Sequence, residues 1–545
     1  MDRDNQVSSS NYDSMHKLKP TNHFVNALLT DLYQLTMAYC YWKQGRHEDQ
    51  AVFDLFFRKC PFDGEFAIFA GLEECLRFLA SFHFTDSDIQ FLATVIHAEK
   101  EFFDWLRNLD VSKVSVYALS EGSVTFPLVP LLRVQGPLAV CQLLETTLLN
   151  LINYASLVAT NAARFRLAVG DKSLLEFGLR RAQGPDGGVS ASRYTYLGGF
   201  DATSNVLASK LFSIPCSGTI AHSFVQTFHD CSQLATTKLV DSNKNEREFV
   251  QCVMETRERL GYNTNQGELA AFISYAQCFP DRFLVLVDTY DTLSSGVPNF
   301  ICVALCLLDF GYKPLGIRLD SGDLSYLSKA ARKEISRIAQ LTGKVELNQV
   351  KIAASNDLNE TTLLSLHQQG HEIDIFGIGT HLVTCQQQPA LGCVYKLVEI
   401  NGQPRIKVSE DISKLTIPCA KKAYRLYGKE GYPLVDLLTL ETEEAPKVGD
   451  KILCRHPYVE RKRCIIVPTR IEPLLKLVWN GKMPVEPSFF SLSHLREFCK
   501  QEMSCLREDH RRFLNPTPYK VSVSQTLFDF IHRLWLEETP IPELA

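Results

Sequence analysis

The chain has 545 residues, which is too long for one ordinary hydrophobic core and predicts two or three domains. A net charge of −5 argues against a general nucleic-acid-binding protein, and no apolar run reaches the length expected of a membrane span. The 17 cysteines are scattered, form no C-x-x-C pair and follow no secretory signal, which predicts free thiols in a reducing cytosol and argues against a zinc site.

The first part of the chain predicts an α/β domain over residues 23–137, after a polar, disordered tail over residues 1–22. Apolar residues recur at helical spacing from residue 25 to 45, with Thr30 and Asp31 as candidate caps. The other predicted elements are strands at 51–58, 114–118 and 131–134 and a helix at 67–82.

An α/β region with the active site is predicted over residues 138–390. It begins with a long amphipathic helix over 138–166 and a strand over 174–177. The glycine-rich segment that follows contains Arg180 and Arg181, which indicate either a loop that approaches an anion or a solvated basic turn. A helix is predicted over 203–212, with Asp201 as its N-terminal charge. His222 then follows another short extended run.

Between residues 283 and 381, a short apolar run ends in a polar cluster four times. The runs at 283–287, 314–317, 350–354 and 373–376 lead into the clusters 288–291, 318–323, 355–357 and 377–380. Helical segments at 327–341 and 360–369 lie between them. Strands that alternate with helices predict a parallel sheet, open or closed into a barrel, and the four clusters should meet at the carboxyl ends of its strands.

After residue 390 the repeat stops. Residues 391–470 predict a β-rich segment. It begins with a hairpin around Asn401-Gly402. Residues 471–545 predict a helical C-terminal region, because helical and charged stretches occur at 492–514 and 525–536.

The polar clusters indicate a phosphorylated, hydroxyl-bearing substrate and a second anionic partner. Gly-x-Gly-Thr at 377–380 offers backbone N–H groups to a phosphate, or forms a simple tight turn. Carboxylates near phosphates suggest Mg²⁺, and arginines bind carboxylate or phosphate. The strand ends carry no lysine, which argues against a Schiff-base aldolase, and no Gly-x-Gly-x-x-Gly, which argues against a usual dinucleotide site.

Five motifs together resemble the nicotinate phosphoribosyltransferase family in its animal form. They occur in order from about residue 28 onward, and the resemblance weakens beyond about Pro468. The motifs are residues 29–39 (LTDLYQLTMAY), 176–188 (EFGLRRAQGPDGG), 218–223 (GTIAHS), 318–324 (RLDSGDL) and 377–380 (GIGT).

This resemblance implies an irregular, TIM-like α/β barrel over residues 138–390, beside an N-terminal α/β domain that is completed by later chain, with the β-rich segment 391–470 packing against it. It implies a homodimer with a shared active site, and the composition described above predicts a cytosolic protein with no nucleic-acid or membrane partner. The implied reaction joins nicotinate to phosphoribosyl pyrophosphate (PRPP), giving nicotinate mononucleotide and pyrophosphate, the entry to NAD synthesis from the free acid. ATP phosphorylates a histidine, matched by His222, and Mg²⁺ accompanies the phosphates.

The resemblance also implies roles for individual residues. Nicotinate would contact Arg318 and Thr219, with its ring beside Phe177 and beside Tyr33 from the partner subunit. Asp320 would bind the ribose hydroxyls, and Asp288 would lie near pyrophosphate and Mg²⁺, held through water. His222, Asp320 and Arg318 form the expected catalytic set. The remaining PRPP- and phosphate-binding candidates are Arg180, Asp201, Ser321, Gly322, Asp323, Gly377, Gly379 and Thr380.

Three positions depart from the family pattern. Cys40 and His381 stand where smaller residues are common, and Cys419 replaces a glycine in a turn that would need a positive φ.

Three alternative functions remain open. They are a nicotinamide-specific sibling enzyme, a catalytically silent PRPP- or nucleotide-binding regulator, and a sugar-phosphate aldolase or isomerase barrel. The missing strand-end lysine disfavours the last of these.

Overall fold

The computed structural model describes residues 18–407, 414–485 and 489–538. The chain divides into two compact units, the first made of residues 1–161 and 387–545 and the second of residues 162–386. Of the predicted tail, residues 1–17 lie outside the described part. Within the remainder, Thr21 donates hydrogen bonds from its N (2.8 Å) and Oγ1 (2.6 Å) to the Glu74 carboxylate.

The second unit is organised by a parallel sheet whose described strands are almost fully buried. Side chains such as Val285, Ile317 and Ile352 have no exposed surface, as expected for strands covered on both faces. In spatial order the strands are Leu284–Leu286, Gly316–Leu319, Lys351–Ala354, Ile375–Ile378, Ser173–Glu176 and Ala202–Thr203. A parallel bridge from Thr203 to Cys216 continues this arc.

Helices connect these strands, and local sequence explains where several of them begin. Asp323 and Asn359 accept hydrogen bonds from Tyr326 N and Thr362 N and so cap the helices Leu324–Thr342 and Glu360–Gln369. The other helices of this unit are Gly184–Leu197, Val206–Phe212, His222–Gln226, Phe249–Arg259, Gln266–Cys278, Val297–Asp309 and Thr380–Val383, with 3-10 turns at Leu179–Arg181, Cys231–Gln233, Pro280–Arg282 and Val345–Gln349. A small hairpin pairs Lys238–Val240 with Glu246–Glu248.

One helical segment in the described chain is apolar enough to cross a membrane, contrary to the prediction from apolar runs. Thr292–Asp309 has a mean hydropathy of 1.5 over 18 residues, but 78% of it is buried inside the protein. The segment comprises the π-helix Thr292–Gly296 and the helix Val297–Asp309. Its hydrophobicity therefore matches that of a core helix packed on all sides.

The first unit contains two six-stranded sheets in its described residues. One is antiparallel, in the order Gln403–Pro404, Cys393–Ile400, Gln50–Phe57, Leu132–Pro137, Ser115–Ala118 and Lys476–Trp479. The other is mixed, in the order Arg463–Ile466, Ile452–Arg455, Val521–Val523, Pro433–Leu440, Lys421–Tyr427 and Arg470–Pro473. A short ladder pairs Ala67–Ile68 with Val124–Thr125.

The helices of the first unit come from both of its chain segments. They are Leu32–Lys43, Leu72–Ser81, Asp86–Val95, Lys100–Arg107, Leu138–Leu143, Leu492–Cys505 and Gln525–Glu538. The helix Glu145–Val169 runs from this unit into the second.

The mixed α/β class is confirmed, whereas a closed TIM-like barrel is not, because no ladder in the described chain joins the two outer strands of the parallel sheet. The helical description of residues 471–545 is also not confirmed, since this region supplies strands to both large sheets.

Two helix predictions were wrong in detail. Residues 67–68 form a strand, and the following helix starts only at Leu72, after Gly71 with φ 99°. Residues 202–203 also form a strand, and the helix begins after Asn205, whose side chain accepts from Ala208 N. Asp201 is therefore not the cap of that helix.

The sequence raised a question about Cys419, and its backbone does have a positive φ, 69°. A side chain in this conformation costs about 1–2 kcal/mol, whereas glycine costs about 0.5–1 kcal/mol in lost chain entropy. We therefore expect Cys419→Gly to raise the free energy of unfolding by about 0.5 kcal/mol, measured by urea denaturation. Cys464→Gly, within the strand Arg463–Ile466, is the control and should be destabilising.

Candidate active site

Polar side chains gather at the carboxyl edge of the parallel sheet. Asp288 follows the strand Leu284–Leu286, Asp320 follows Gly316–Leu319, and Ser355 follows Lys351–Ala354. Because neighbouring strands are parallel and in register, these positions lie side by side. The convergence expected from the sequence is thus observed for these clusters.

A histidine–carboxylate pair lies at one side of this edge. His222 begins the helix His222–Gln226, and its Nε2 lies 3.1 Å from Asp288 Oδ1. The other Asp288 oxygen accepts from Ser321 Oγ at 2.6 Å and from Asp320 N at 3.3 Å. The Asp288 side chain is 3% exposed and that of His222 is 40% exposed. The carboxylate is thus fixed from three directions, while the imidazole remains open to a ligand.

Arg318 is the centre of the adjoining polar network. Its guanidinium donates to Asp320 Oδ2 (2.9 Å), Ser355 Oγ (2.9 Å), Thr219 Oγ1 (2.6 Å) and Ile220 O (3.2 Å). Only 11% of its side chain is exposed. These contacts place Arg318, Asp320 and Thr219 together, and Asp320 N joins them to Asp288. A rigid guanidinium of this kind suits a planar carboxylate ligand.

Ser355 belongs to this network, although the sequence did not single it out. Its hydroxyl donates to Asp320 Oδ1 and accepts from Arg318. The sequence feature that could have identified Ser355 is its position directly after an apolar strand, which it shares with Asp288 and Asp320. The next residues, Asn356 and Asp357, have φ values of 106° and 50°, so the chain is strained where it leaves the strand.

A compact turn lies further along the same edge. Gly377 is inside the strand Ile375–Ile378, not in a loop, and a Cβ there would lie 2.5 Å from the Phe177 ring. Gly377 thus makes room for the aromatic side chain. Gly379 precedes the short helix Thr380–Val383, and Phe177 N donates to Ile378 O. Phe177, Gly377, Gly379 and Thr380 are therefore brought together.

Other predicted site residues have different surroundings. Asp201 accepts from Leu174 N and pairs with Arg166 (2.7 Å), ahead of the strand Ala202–Thr203 and so at its amino end. Arg180 is exposed on the turn Leu179–Arg181. Asp323 is exposed and caps a helix.

Gly322 has φ 77°, which explains the glycine between Ser321 and Asp323. Tyr33 is 48% exposed and lies in the first unit. In the short helix Thr380–Val383, His381 Nε2 lies 3.4 Å from Asp357 Oδ2.

The described residues contain no group of three or more His, Cys, Asp or Glu side chains arranged to hold a metal ion. Both oxygens of Asp288 are already hydrogen-bonded. This donor set fits Mg²⁺ that arrives with a phosphorylated substrate and contacts the protein through water, which is the usual way proteins hold this ion.

The chain is an α/β protein whose parallel sheet carries a histidine–aspartate pair beside an arginine–aspartate network at its carboxyl edge. Models of the nicotinate phosphoribosyltransferase N-terminal domain, family and C-terminal domain match residues 28–153, 173–434 and 420–531. The chain belongs to the nicotinate phosphoribosyltransferase family.

Similar proteins include nicotinate phosphoribosyltransferases of Dictyostelium discoideum, 57% identical over 98% of this chain and 92% of the relative, and of Caenorhabditis elegans, 52% identical over 95% of each. The crystal structure of human nicotinic acid phosphoribosyltransferase superposes with a TM-score of 0.83 at 44% identity, covering 93% of this chain and 99% of that one. The family resemblance seen in the five motifs is thereby confirmed.

Proposed function

We propose that this enzyme converts nicotinate and PRPP into nicotinate mononucleotide and pyrophosphate, the first step of NAD synthesis from nicotinate. We also propose that ATP hydrolysis drives the reaction through a phosphohistidine at His222. The observation that carries the proposal is the direct link from His222 through Asp288 to the Arg318–Asp320 network. Membership of the family supports the substrates.

The contact between His222 and Asp288 supports Nδ1 as the ring nitrogen that reacts. An ionised carboxylate accepts hydrogen bonds, so Nε2 carries the proton and donates to Asp288 Oδ1. The lone pair of Nδ1 then attacks the γ-phosphorus of ATP, and ADP leaves with the electrons of the broken P–O bond. The resulting phosphoimidazolium keeps its Nε2 proton and is stabilised by Asp288. Water later cleaves the N–P bond and releases phosphate.

Arg318 and Thr219 would hold the nicotinate carboxylate, with the pyridine ring beside Phe177. The nicotinate carboxylate would replace Asp320 as one of the groups bound by the Arg318 guanidinium. Asp320 would then be free to bind the ribose hydroxyls. The turn at Gly379 and Thr380 would take the 5-phosphate, because backbone N–H groups at a helix start bind anions. Ser321, which contacts Asp288, would lie near pyrophosphate.

Bond exchange occurs at C1 of the ribose. The pyridine nitrogen forms the new C–N bond while pyrophosphate leaves with the electrons of the C1–O bond. Positive charge develops on the ribose ring, and the carboxylates of Asp288 and Asp320 stabilise it. The pyridine nitrogen has no proton to lose, so no general base is required. Mg²⁺ bound to pyrophosphate would neutralise the leaving group.

Further features of the proposal come from the family resemblance. The parallel sheet would close into a TIM-like barrel, and the enzyme would be a cytosolic homodimer in which Tyr33 of one chain completes the site of the other. Half of the Tyr33 surface is exposed, which leaves the ring free for such a contact.

The substrate assignment is tested by incubating the enzyme with PRPP and Mg²⁺, with nicotinate or nicotinamide, and with or without ATP. Mononucleotide and ADP are then measured. We expect mononucleotide from nicotinate and stimulation by ATP. Turnover of nicotinamide alone would indicate the sibling enzyme, and PRPP binding without either product would indicate a silent regulator.

His222→Ala is expected to abolish phosphohistidine formation and ATP stimulation but to leave slow, uncoupled synthesis, because the site for nicotinate and PRPP does not depend on the imidazole. Phosphohistidine is measured with γ-labelled ATP, and ADP and mononucleotide by chromatography. His367→Ala, an exposed histidine in the last turn of the helix Glu360–Gln369, is the matched control. ATP stimulation equal to that of the wild type in the His222 variant would refute the assignment.

A further inference from the structure

A buried carboxyl group lies behind the His222–Asp288 pair and has no role in the proposed chemistry. Glu268 is fully buried on the helix Gln266–Cys278. Its Oε2 accepts from Ser295 Oγ at 2.6 Å and from Asn299 Nδ2 at 3.0 Å. The pKa of Glu268 is raised to about 7, mainly by burial and to a smaller extent by the negative charges of Asp288 and Asp291, although the hydrogen bonds from Ser295 and Asn299 act to lower it.

Two buried acceptors in this network lack partners within the described residues: Glu268 Oε1 and Asn299 Oδ1. Unpaired buried oxygens are costly. A proton on Glu268 Oε1 converts one acceptor into a donor. Asn299 Oδ1, on the carboxamide whose Nδ2 already donates to Glu268 Oε2, would be the acceptor of that proton in a reciprocal acid–amide pair. The structure therefore favours a neutral carboxylic acid at Glu268.

The network is joined to the backbone that carries Asp288. Ser295, the partner of Glu268, lies in the π-helix Thr292–Gly296, a rare element that often marks a functional site. Asp291 caps this element by accepting from Leu293 N and Ser294 N. A Cβ on Gly296 would lie 1.9 Å from Val287 O, so the π-helix packs directly on the residue before Asp288.

The helix of Glu268 also contacts the segment that carries His222. A Cβ on Gly267 would lie 2.3 Å from Phe228 O, which shows close backbone packing just after the helix His222–Gln226. The rings of Phe224 and Tyr275 meet edge to face at 6.1 Å. The helix of Glu268 thus packs on the chain that follows His222, and through Ser295 it is linked to the π-helix that packs on Val287, the residue before Asp288.

We propose that Glu268, as a neutral acid paired with Asn299 and Ser295, is the positioning residue that holds Asp288 against His222. The catalytic part of this inference rests on the proposed function, whereas the geometric part does not. Loss of the network would let Asp288 move away from Nε2, so the imidazole would no longer be held in the tautomer that exposes Nδ1.

The test compares Glu268→Gln, Glu268→Leu and the control Glu334→Gln, whose carboxylate accepts from Tyr262 OH elsewhere in the same unit. Glutamine reproduces both the donor and the acceptor of a neutral acid, so coupling should stay within about twofold of the wild type. Leucine should lower phosphohistidine formation, and with it the ADP formed per mononucleotide, by about tenfold to a hundredfold, the range seen for small displacements of catalytic groups. A purely structural role would lower the melting temperature without changing this ratio.

Two measurements do not depend on activity. The infrared carbonyl band of a protonated carboxylic acid should be present in the wild type and absent in Glu268→Gln. The ¹⁵N signals of the His222 ring should indicate the Nε2–H tautomer in the wild type and Glu268→Gln, and a tautomer mixture in Glu268→Leu. If the wild type shows no ATP coupling, the proposed function fails, and these two measurements still decide the inference.

A folded Glu268→Leu variant with the wild-type coupling ratio and wild-type ring signals would overturn the proposal. Coupling lost equally in Glu268→Gln would also overturn it, because an ionised carboxylate would then be required. If Glu268→Leu does not fold, Ser295→Ala removes the hydroxyl that donates to Glu268 Oε2 and accepts from Asn265 N and Asn299 Nδ2, and it should shift the ring signals in the same direction. Unchanged signals in that variant would refute the positioning role.

Discussion

Arg318→Ala is expected to lower kcat/KM for nicotinate by about 10²–10³, the cost of removing one pre-organised donor from an active site. The guanidinium makes four hydrogen bonds at the sheet edge, and its loss leaves Asp320 without its nearest cation. Arg318→Lys should recover only part of the activity, because an ammonium group does not reproduce the planar fork. Steady-state kinetics with varied nicotinate and varied PRPP measure the effect.

Arg332 is a matched control for this experiment. Its guanidinium is also largely buried and donates to Asp374 Oδ2 (2.9 Å) and Val350 O (2.7 Å), but these partners precede their strands and lie at the amino edge of the sheet. Arg332→Ala should reduce stability and leave kcat/KM of the folded enzyme nearly unchanged. If both alanine variants lose activity equally, Arg318 does not contact the substrate.

Arg425→Ala is expected to reduce the stability of the first unit by about 3–5 kcal/mol, because it leaves a buried carboxylate unpaired. Arg425 forms two hydrogen bonds of 2.9 Å with Asp436, which is fully buried. The guanidinium also contacts Glu502 and Val124 O, and Tyr519 OH donates to Asp436. One side chain thus connects four separate stretches of the chain.

Tryptophan fluorescence reports the unfolding of the first unit alone, because all four tryptophans belong to that unit: Trp42, Trp105, Trp479 and Trp535. Urea denaturation of Arg425→Ala should show the large shift. Lys59→Ala, which removes an exposed pair with Asp63, should change stability by less than about 1 kcal/mol. If both variants change the free energy of unfolding by the same small amount, the buried Arg425–Asp436 pair contributes little to stability.

Much of the polar carboxyl edge of the parallel sheet was predictable, because the sequence features that indicate it are local. Asp288 and Asp320 each follow a continuous apolar run, and a parallel sheet must bring such positions together. The caps Asp323 and Asn359 likewise reveal where helices begin. Ser355 also follows an apolar run directly, but serine is too common at strand ends for this position alone to identify it as a site residue.

The remaining features depend on tertiary contacts that sequence patterns do not encode. Nothing near Asp201 indicates that its carboxylate faces Arg166 at the amino end of its strand. Glu268 stands in a helix with unremarkable spacing, and only the packing of Gly267 and Gly296 brings it behind the histidine–aspartate pair. Residues 67–68 were predicted to be helical because their strand pairing with residues 124–125 is distant in sequence, and local patterns do not reveal it.

The pairing of Gln50–Phe57 with Cys393–Ile400 has a consequence for synthesis on the ribosome. The amino-terminal strands emerge long before their partners are translated, and the whole second unit lies between them. The parallel sheet, by contrast, is contiguous in the nascent chain and is complete by residue 378. During synthesis from the amino terminus, one edge of the strand Gln50–Phe57 therefore stays unpaired until the carboxyl-terminal third of the chain is translated. Nascent proteins with such exposed strand edges depend on chaperones.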